Sequence, residues 1–297
     1  VVVMIERLGR GWVGPRAGRL AAAAFLIFPP GSALLAWVSC AQDLIMLFWA
    51  VAALLLYRNG RHAAAGLAAA LAALSKETAV VLPVALAVMD WHLHRGASHR
   101  ARLTRLAPGI AGLGVAAAVS VAARASWPAG TAVTVWSPAQ FVGAWRLPLD
   151  FARTFMPPDT GAGIAQALQA QPVWLALVVV LAAFTVPRLA PAAAASRPMR
   201  AGADPRTAPG SRVTRPVPSL VFFGLALALL AMLPIGFVIE RWRGYFFSLS
   251  AVGAALALGA LLAPLTPWLT RGLLILGAVV NFSAGGIYRP LEAEPGN

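Results

Sequence analysis

Apolar runs of roughly 15–20 residues recur along the whole chain, close to the length one helix needs to cross the hydrocarbon core of a bilayer. Between them lie short stretches that carry most of the charge. Of the 297 residues, 60% are hydrophobic and only 11% charged. Soluble domains average about a quarter charged, and one aqueous core of this size could not hide so much apolar surface. We read about nine passes, at 19–36, 43–57, 62–75, 77–91, 105–123, 172–187, 218–236, 245–263 and 271–287. The fold class implied is all-α: a polytopic transmembrane helix bundle forming a single membrane domain over 1–297. The third and fourth passes are short, so they are either tilted or a broken pair meeting at Lys76 and Glu77.

The loops, numbered alternately, separate by charge. One set, 1–18, 58–61, 92–104, 188–217 and 264–271 with the adjoining helix ends, holds 17 of the 24 basic residues and three acids: Glu6, Asp90 and Asp204. The other holds Lys76, Arg124, Arg146, Arg153, Arg241, Arg243 and Arg289, together with the remaining seven acids. Basic loops mark the cytoplasmic side, which puts Asp43, Lys76, Glu77 and Glu240 at the external face. The same rule accounts for the net charge of +14 without nucleic acid, which would require a basic face on a soluble module. Trp37, Trp91, Trp127, Trp174, Trp242 and Trp268 fall near helix ends, as an interfacial aromatic belt requires. Trp49, inside its run, reads as ordinary packing.

Two loops are long. Residues 189–217, rich in Ala, Pro, Arg and Ser, read as a disordered cytoplasmic linker whose arginines suit anionic headgroups. Residues 125–171 form an external loop whose middle, Ser137 to Phe155, has near-helical apolar spacing broken at Pro148. That pattern predicts a kinked interfacial helix. The opening "VVVMI" reads as the last turn of an apolar helix, so the chain is expected to be incomplete at its N-terminus. Cys40 is the only cysteine, which excludes an intramolecular disulfide. A single lysine against 23 arginines, with abundant alanine, suggests a GC-rich bacterial genome.

Several polar positions are open to two readings. Lys76 and Glu77 form either a solvated turn, with Glu77 suited to a helix N-terminus, or part of a site. Asp43 is either an ordinary first-turn carboxylate or a site residue. Glu240, Arg241 and Arg243, beside Trp242 and Tyr245, either bind phosphate through arginine forks or anchor at headgroups. His62, His92, His94 and His99 fall in cytoplasmic loops, and solvated histidines are a plainer reading of the pair at 92 and 94 than a metal site. P-loop, G-x-S-x-G and H-E-x-x-H motifs are absent from the sequence.

The segments "FLIFPPGSALLAWVSCAQDLIMLFWAVAALLLY", "ALAALSKETAVVLPVALAVMDW" and "ERWRGYFFSLSAVGAAL", in this order and spacing, resemble the membrane-embedded GT-C glycosyltransferases. The similarity is to the bacterial relatives of protein O-mannosyltransferases and the TMTC-type mannosyltransferases, and covers roughly residues 1–263. It is carried most strongly by Trp37 to Asp43 and Ser75 to Glu77. The resemblance implies an inner-membrane enzyme that moves a sugar from a polyprenyl-phosphate donor to a protein, lipid or glycan acceptor on the external face. It implies phosphate contact for Lys76, Arg241 and Arg243, with Glu77, Glu240 and Asp43 orienting those cations or the acceptor; Tyr245 adjoins them on the substrate-binding segment. Asp43 and Glu77 are the weaker catalytic candidates, because the family's principal acid would precede Val1. The chain departs from the family pattern at Phe28, Gly31 and Ala33, where histidine or glutamate is usual, and at Ala41, where arginine is. Some related enzymes use a divalent metal and others do not; no complete ligand set is visible. The alternatives are a secondary transporter or lipid-linked sugar flippase, and a non-catalytic membrane scaffold.

Overall fold

A computed structural model of the protein describes residues 1–28, 41–125, 217–234 and 247–283. Among these the chain is all-α, with no strand. The elements are α1 (Val2–Trp12), α2 (Pro15–Ile27), α3 (Ala41–Arg58), α4 (His62–Ser75), a 3-10 turn (Glu77–Val81), α5 (Leu82–Leu93), α6 (His99–Ala125), α7 (Val217–Leu230), α8 (Ser248–Leu262) and α9 (Pro267–Ser283). The expected pass at 172–187, the interfacial helix of 125–171 and the linker 189–217 lie outside the described residues.

Local chemistry moves several boundaries away from the hydropathy reading. Residues 1–18, expected as a loop after a closing helical turn at "VVVMI", instead contain all of α1, which runs on past Ile5 to Trp12, and the start of α2. Ile5, Leu8 and Trp12 recur at helical spacing and are buried, while Arg7 and Arg10 stay exposed. Gly14, at φ +146°, turns the chain into α2, and Pro15 opens that helix where a missing N–H costs nothing. Helix α2 ends at Ile27, where Phe28, preceding Pro29, is driven to an extended ψ of 135°; the rest of the expected first pass, 29–36, lies outside the described residues. The fourth pass divides into the 3-10 turn and α5. Helix α6 begins at His99, so Arg100 and Arg102 lie on a helix rather than in a loop, and Arg105, expected at the helix end, falls in its second turn.

The histidines differ from the loop reading as well. His62 opens α4 and His92 lies in the last turn of α5, where it is buried. Of the tryptophans that fall among the described residues, Trp91 and Trp268 are exposed near helix ends. The Arg102 guanidinium stands 4.4 Å over the Trp91 ring. Trp49 is half-buried and meets Phe48 edge-on. Trp12 is buried, stacked on Phe223 with centroids 4.8 Å apart, and donates to Ser219 Oγ at 3.0 Å.

Helix contacts run through small residues. Gly9 on α1 faces Gly18 on α2, Gly66 on α4 faces Gly112 and the Pro108 backbone on α6, and Gly224 on α7 faces Gly253 on α8. Gly259 on α8 lies against Ala17 and Ala21 on α2. Close backbone approach through Gly and Ala is how helices associate where lipid removes the hydrophobic drive between them. A Cβ on Gly253 would sit 2.5 Å from the Ala228 nitrogen, whereas one on Gly114 meets nothing within 4 Å. Gly253→Leu is therefore expected to cost about 1–3 kcal/mol by overpacking. Gly114→Leu should leave the midpoint of thermal unfolding in detergent unchanged, and equal midpoints for the two variants would contradict this packing.

Helices α3 and α6 are each long and apolar enough to cross a membrane. They differ in surroundings: half of the α3 window is buried, but only 11% of the α6 window. Helix α6 turns Leu103, Ile110, Val115, Val119 and Val121 outward, an exposure that fits lipid better than water as its surroundings.

The contacts also gather chain segments by charge. Arg58 Nη1 at the end of α3 donates to the carbonyls of Arg7 and Leu8 on α1 (3.0 and 3.2 Å). Trp12 reaches the start of α7 through Ser219. At the start of α2, Arg16 Nη2 donates to the Leu265 carbonyl after α8 (2.5 Å) and to Thr270 Oγ1 on α9 (3.2 Å). These ties bring arginine-bearing segments that are far apart in sequence to one end of the bundle. Asp43 and Lys76 meet at the other end.

Candidate functional site

Lys76 is held by a break in the helical path. Helix α4 ends at Ser75, whose Oγ donates back to the Leu71 carbonyl at 2.7 Å, a local bond that competes with helix continuation. Lys76 is then extended (φ −161°, ψ 138°), and the β-branched Thr78, Val80 and Val81 follow in a tight 3-10 turn. Pro83, in the first turn of α5, needs no N–H partner there. The chain reverses across this break, because Tyr57 at the end of α3 bonds Asp90 at the end of α5.

The reversal carries Lys76 onto Asp43, in the first turn of α3. Lys76 Nζ donates to Asp43 Oδ1 at 2.6 Å, and the two residues are 9% and 3% exposed. At the start of α8, Ser248 Oγ lies 3.4 Å from the same carboxylate oxygen. Two segments distant in sequence thus converge on Asp43. The Thr78 hydroxyl nearby is buried without a hydrogen-bond partner among the described residues.

These positions depart from the solvated-turn reading in one respect. Lys76 is buried and ion-paired, while its neighbour Glu77 is exposed. Sequence adjacency therefore does not make them one unit: the extended Lys76 backbone turns one side chain inward and leaves the next outward. Glu240, Arg241, Arg243 and Tyr245 lie outside the described residues. Ser248 follows Tyr245 by three positions, so the helix that continues from their segment is the one that reaches Asp43.

A second polar cluster lies at the arginine-rich end, and sequence reasoning missed it. The carboxylate of Asp90 is 1% exposed and accepts from Tyr57 Oη (2.8 Å), Arg105 Nε (2.7 Å) and, on its other oxygen, Arg105 Nη2 (3.0 Å). His94 Nδ1 lies 3.0 Å from Asp90 Oδ1. The bidentate fork is the strong form of a charge-assisted bond. One signal was available: Asp90 is an acid within an arginine-rich set of loop ends, and it closes an otherwise apolar run. His92 is separate from this cluster, its Nδ1 lying 2.9 Å from the Val88 carbonyl.

A buried ammonium beside a carboxylate can do two things. It can hold α3 to the α4–α5 break as a clamp, and it can present positive charge to an anion that enters from the same end. Among the described residues no group of three or more His, Cys, Asp or Glu side chains is placed to hold a metal ion. Comparison of the chain with protein-family models, curated proteins and solved structures found no match.

Proposed function

We propose that this chain is a multi-pass inner-membrane glycosyltransferase of GT-C type, which moves a sugar from a polyprenyl-phosphate donor to a protein, lipid or glycan acceptor on the external face. The observation that carries the reading is the Asp43–Lys76 ion pair. It joins the two segments on which the family resemblance rests, at the end of the bundle opposite the arginine-rich loops. In this reading the acceptor hydroxyl attacks the anomeric carbon, the bond from that carbon to the phosphate oxygen breaks, and the acceptor proton passes to a carboxylate. Asp43 positions the Lys76 ammonium, which meets the phosphate oxygens as their charge grows. In this reading Arg241 and Arg243 add guanidinium forks to the same phosphate, Glu77 and Glu240 orient these cations or the acceptor, and Tyr245 belongs to the substrate-binding segment.

A second reading draws on a specific feature. A charge pair buried beside a broken helix is also how secondary transporters build a substrate site. A lipid-linked sugar flippase would use the same cation on the same headgroup without breaking a bond.

One assay separates the two. Proteoliposomes holding the full chain receive a polyprenyl-phosphate sugar labelled in the sugar, with peptide and lipid acceptors outside. Transfer predicts label in the acceptor, and Lys76→Met should lower that rate about tenfold or more at equal protein abundance. Label that crosses the bilayer and stays on its carrier would favour the flippase. Label that is neither transferred nor moved would defeat both. Cysteines placed at 77 and 240 in a Cys40→Ser background should react with an impermeant reagent from the same face.

A further inference from the structure

Between α1 and the last two turns of α3 runs an open groove of about 990 Å³. Met4, Arg7 and Gly11 on α1 line it opposite Ala52, Leu55 and Leu56 on α3, and Arg10 and Arg58 line it too, with Gly14 and Pro15 from the turn into α2. Met4, Leu55 and Leu56 are half-buried, and Arg7 and Arg10 are exposed. The groove therefore has an apolar floor and a cationic edge. Glu6, the only acid on α1, does not line it.

Arg58 fixes the shape of this edge. Its Nη1 bonds two α1 carbonyls, and its guanidinium lies against Gly11, where any Cβ would collide with it. Glycine at 11 lets the planar fork lie on the α1 backbone. Its Nε and Nη2 make no hydrogen bond to a described residue. Three guanidiniums above apolar side chains match one ligand chemistry: a phosphate with acyl chains attached. Arginine forks take phosphate oxygens in pairs, and basic pockets between helices near the cytoplasmic surface suit anionic headgroups. A soluble anion would leave the apolar floor unused, and the arginine-rich 189–217 segment of this chain would be repelled.

We infer that the α1–α3 groove binds an anionic phospholipid of the cytoplasmic leaflet, with the headgroup at Arg7, Arg10 and Arg58 and the chains along Met4, Leu55 and Leu56. The site lies about 22 Å along α3 from Asp43, so it is separate from the proposed transfer site and does not depend on transferase activity. Its leaflet follows from the arginine-rich end being cytoplasmic.

The test uses the full chain in nonionic detergent, with binding followed by native mass spectrometry and thermal unfolding. The probes are phosphatidylglycerol, phosphatidylcholine of the same chains, and inorganic phosphate. Phosphatidylglycerol should bind about tenfold more tightly than phosphatidylcholine, and inorganic phosphate should not compete. The preference should fall to about twofold or less in Arg7→Gln/Arg10→Gln, whose two side chains are exposed and whose lipid-free unfolding midpoint should match the parent. Arg197→Gln/Arg200→Gln, in the 189–217 segment, should keep the full preference. Equal binding of the two lipids, an undiminished preference in the groove variant, or competition by inorganic phosphate would each overturn the proposal.

Discussion

Lys76→Met alone is expected to cost the folded protein about 3–5 kcal/mol, and so is Asp43→Leu, because each leaves the other partner's charge buried without its counter-ion. The geometry warrants the upper range: both residues are under a tenth exposed and the donor–acceptor distance is 2.6 Å. The double variant should recover most of the loss, since a pair of apolar side chains of similar volume replaces a buried ion pair at little or no cost. The measurement is a double-mutant cycle on unfolding in detergent, with a coupling energy of about 4 kcal/mol or more between the sites, because the double variant keeps little of either single loss. Additive losses under about 1 kcal/mol each would mean that water reaches the pair and screens it, and the clamp between α3 and the α4–α5 break would fall with it. The cycle also separates stability from function: a stable double variant that transfers no sugar would show that the charge serves the substrate and not only the fold.

Asp90→Ala is the second large effect, with an expected loss of about 3 kcal/mol or more. The carboxylate satisfies the Tyr57 hydroxyl and both arms of the Arg105 fork at once, so deletion orphans three donors in one step. Arg105→Lys keeps the charge but not the fork and should cost about 1–2 kcal/mol. Tyr57→Phe removes one hydrogen bond to a charged group and should cost about 1.5 kcal/mol. The order, Asp90→Ala largest and the other two smaller, is the informative result. A Tyr57→Phe loss as large as that of Asp90→Ala would mean that packing around the ring, with His62 edge-on at 4.7 Å, matters more than the carboxylate.

Much of the helical content was legible in the sequence. The run 62–75 is a helix over those same residues, because it is nearly pure Ala and Leu, bounded by the positive-φ Gly60 before it and by Ser75 at its end. Boundaries differ from the hydropathy pattern where a local rule overrides it. Phe28 before Pro29 ends α2 at Ile27, and the Ile5–Leu8–Trp12 spacing makes a helix of a segment whose arginines suggested a loop. The candidate site was legible only as a set of residue types. Asp43 and Lys76 stood out because charge is scarce here, yet nothing local said that they touch. Asp90 is visible in the sequence as an acid among loop ends but not as the centre of a cluster, because its partners Tyr57 and Arg105 are 33 and 15 residues away.

The sequence alone carried the scarcity of charge and the apolar runs, which read as helices because a helix satisfies its own backbone. Which charges became neighbours was decided by the tertiary structure alone. Glycine contacts set how closely the helices approach, and the reversal at Lys76 set which helix ends meet. An ion pair a few ångströms long depends on both, and hydropathy carries no information about either.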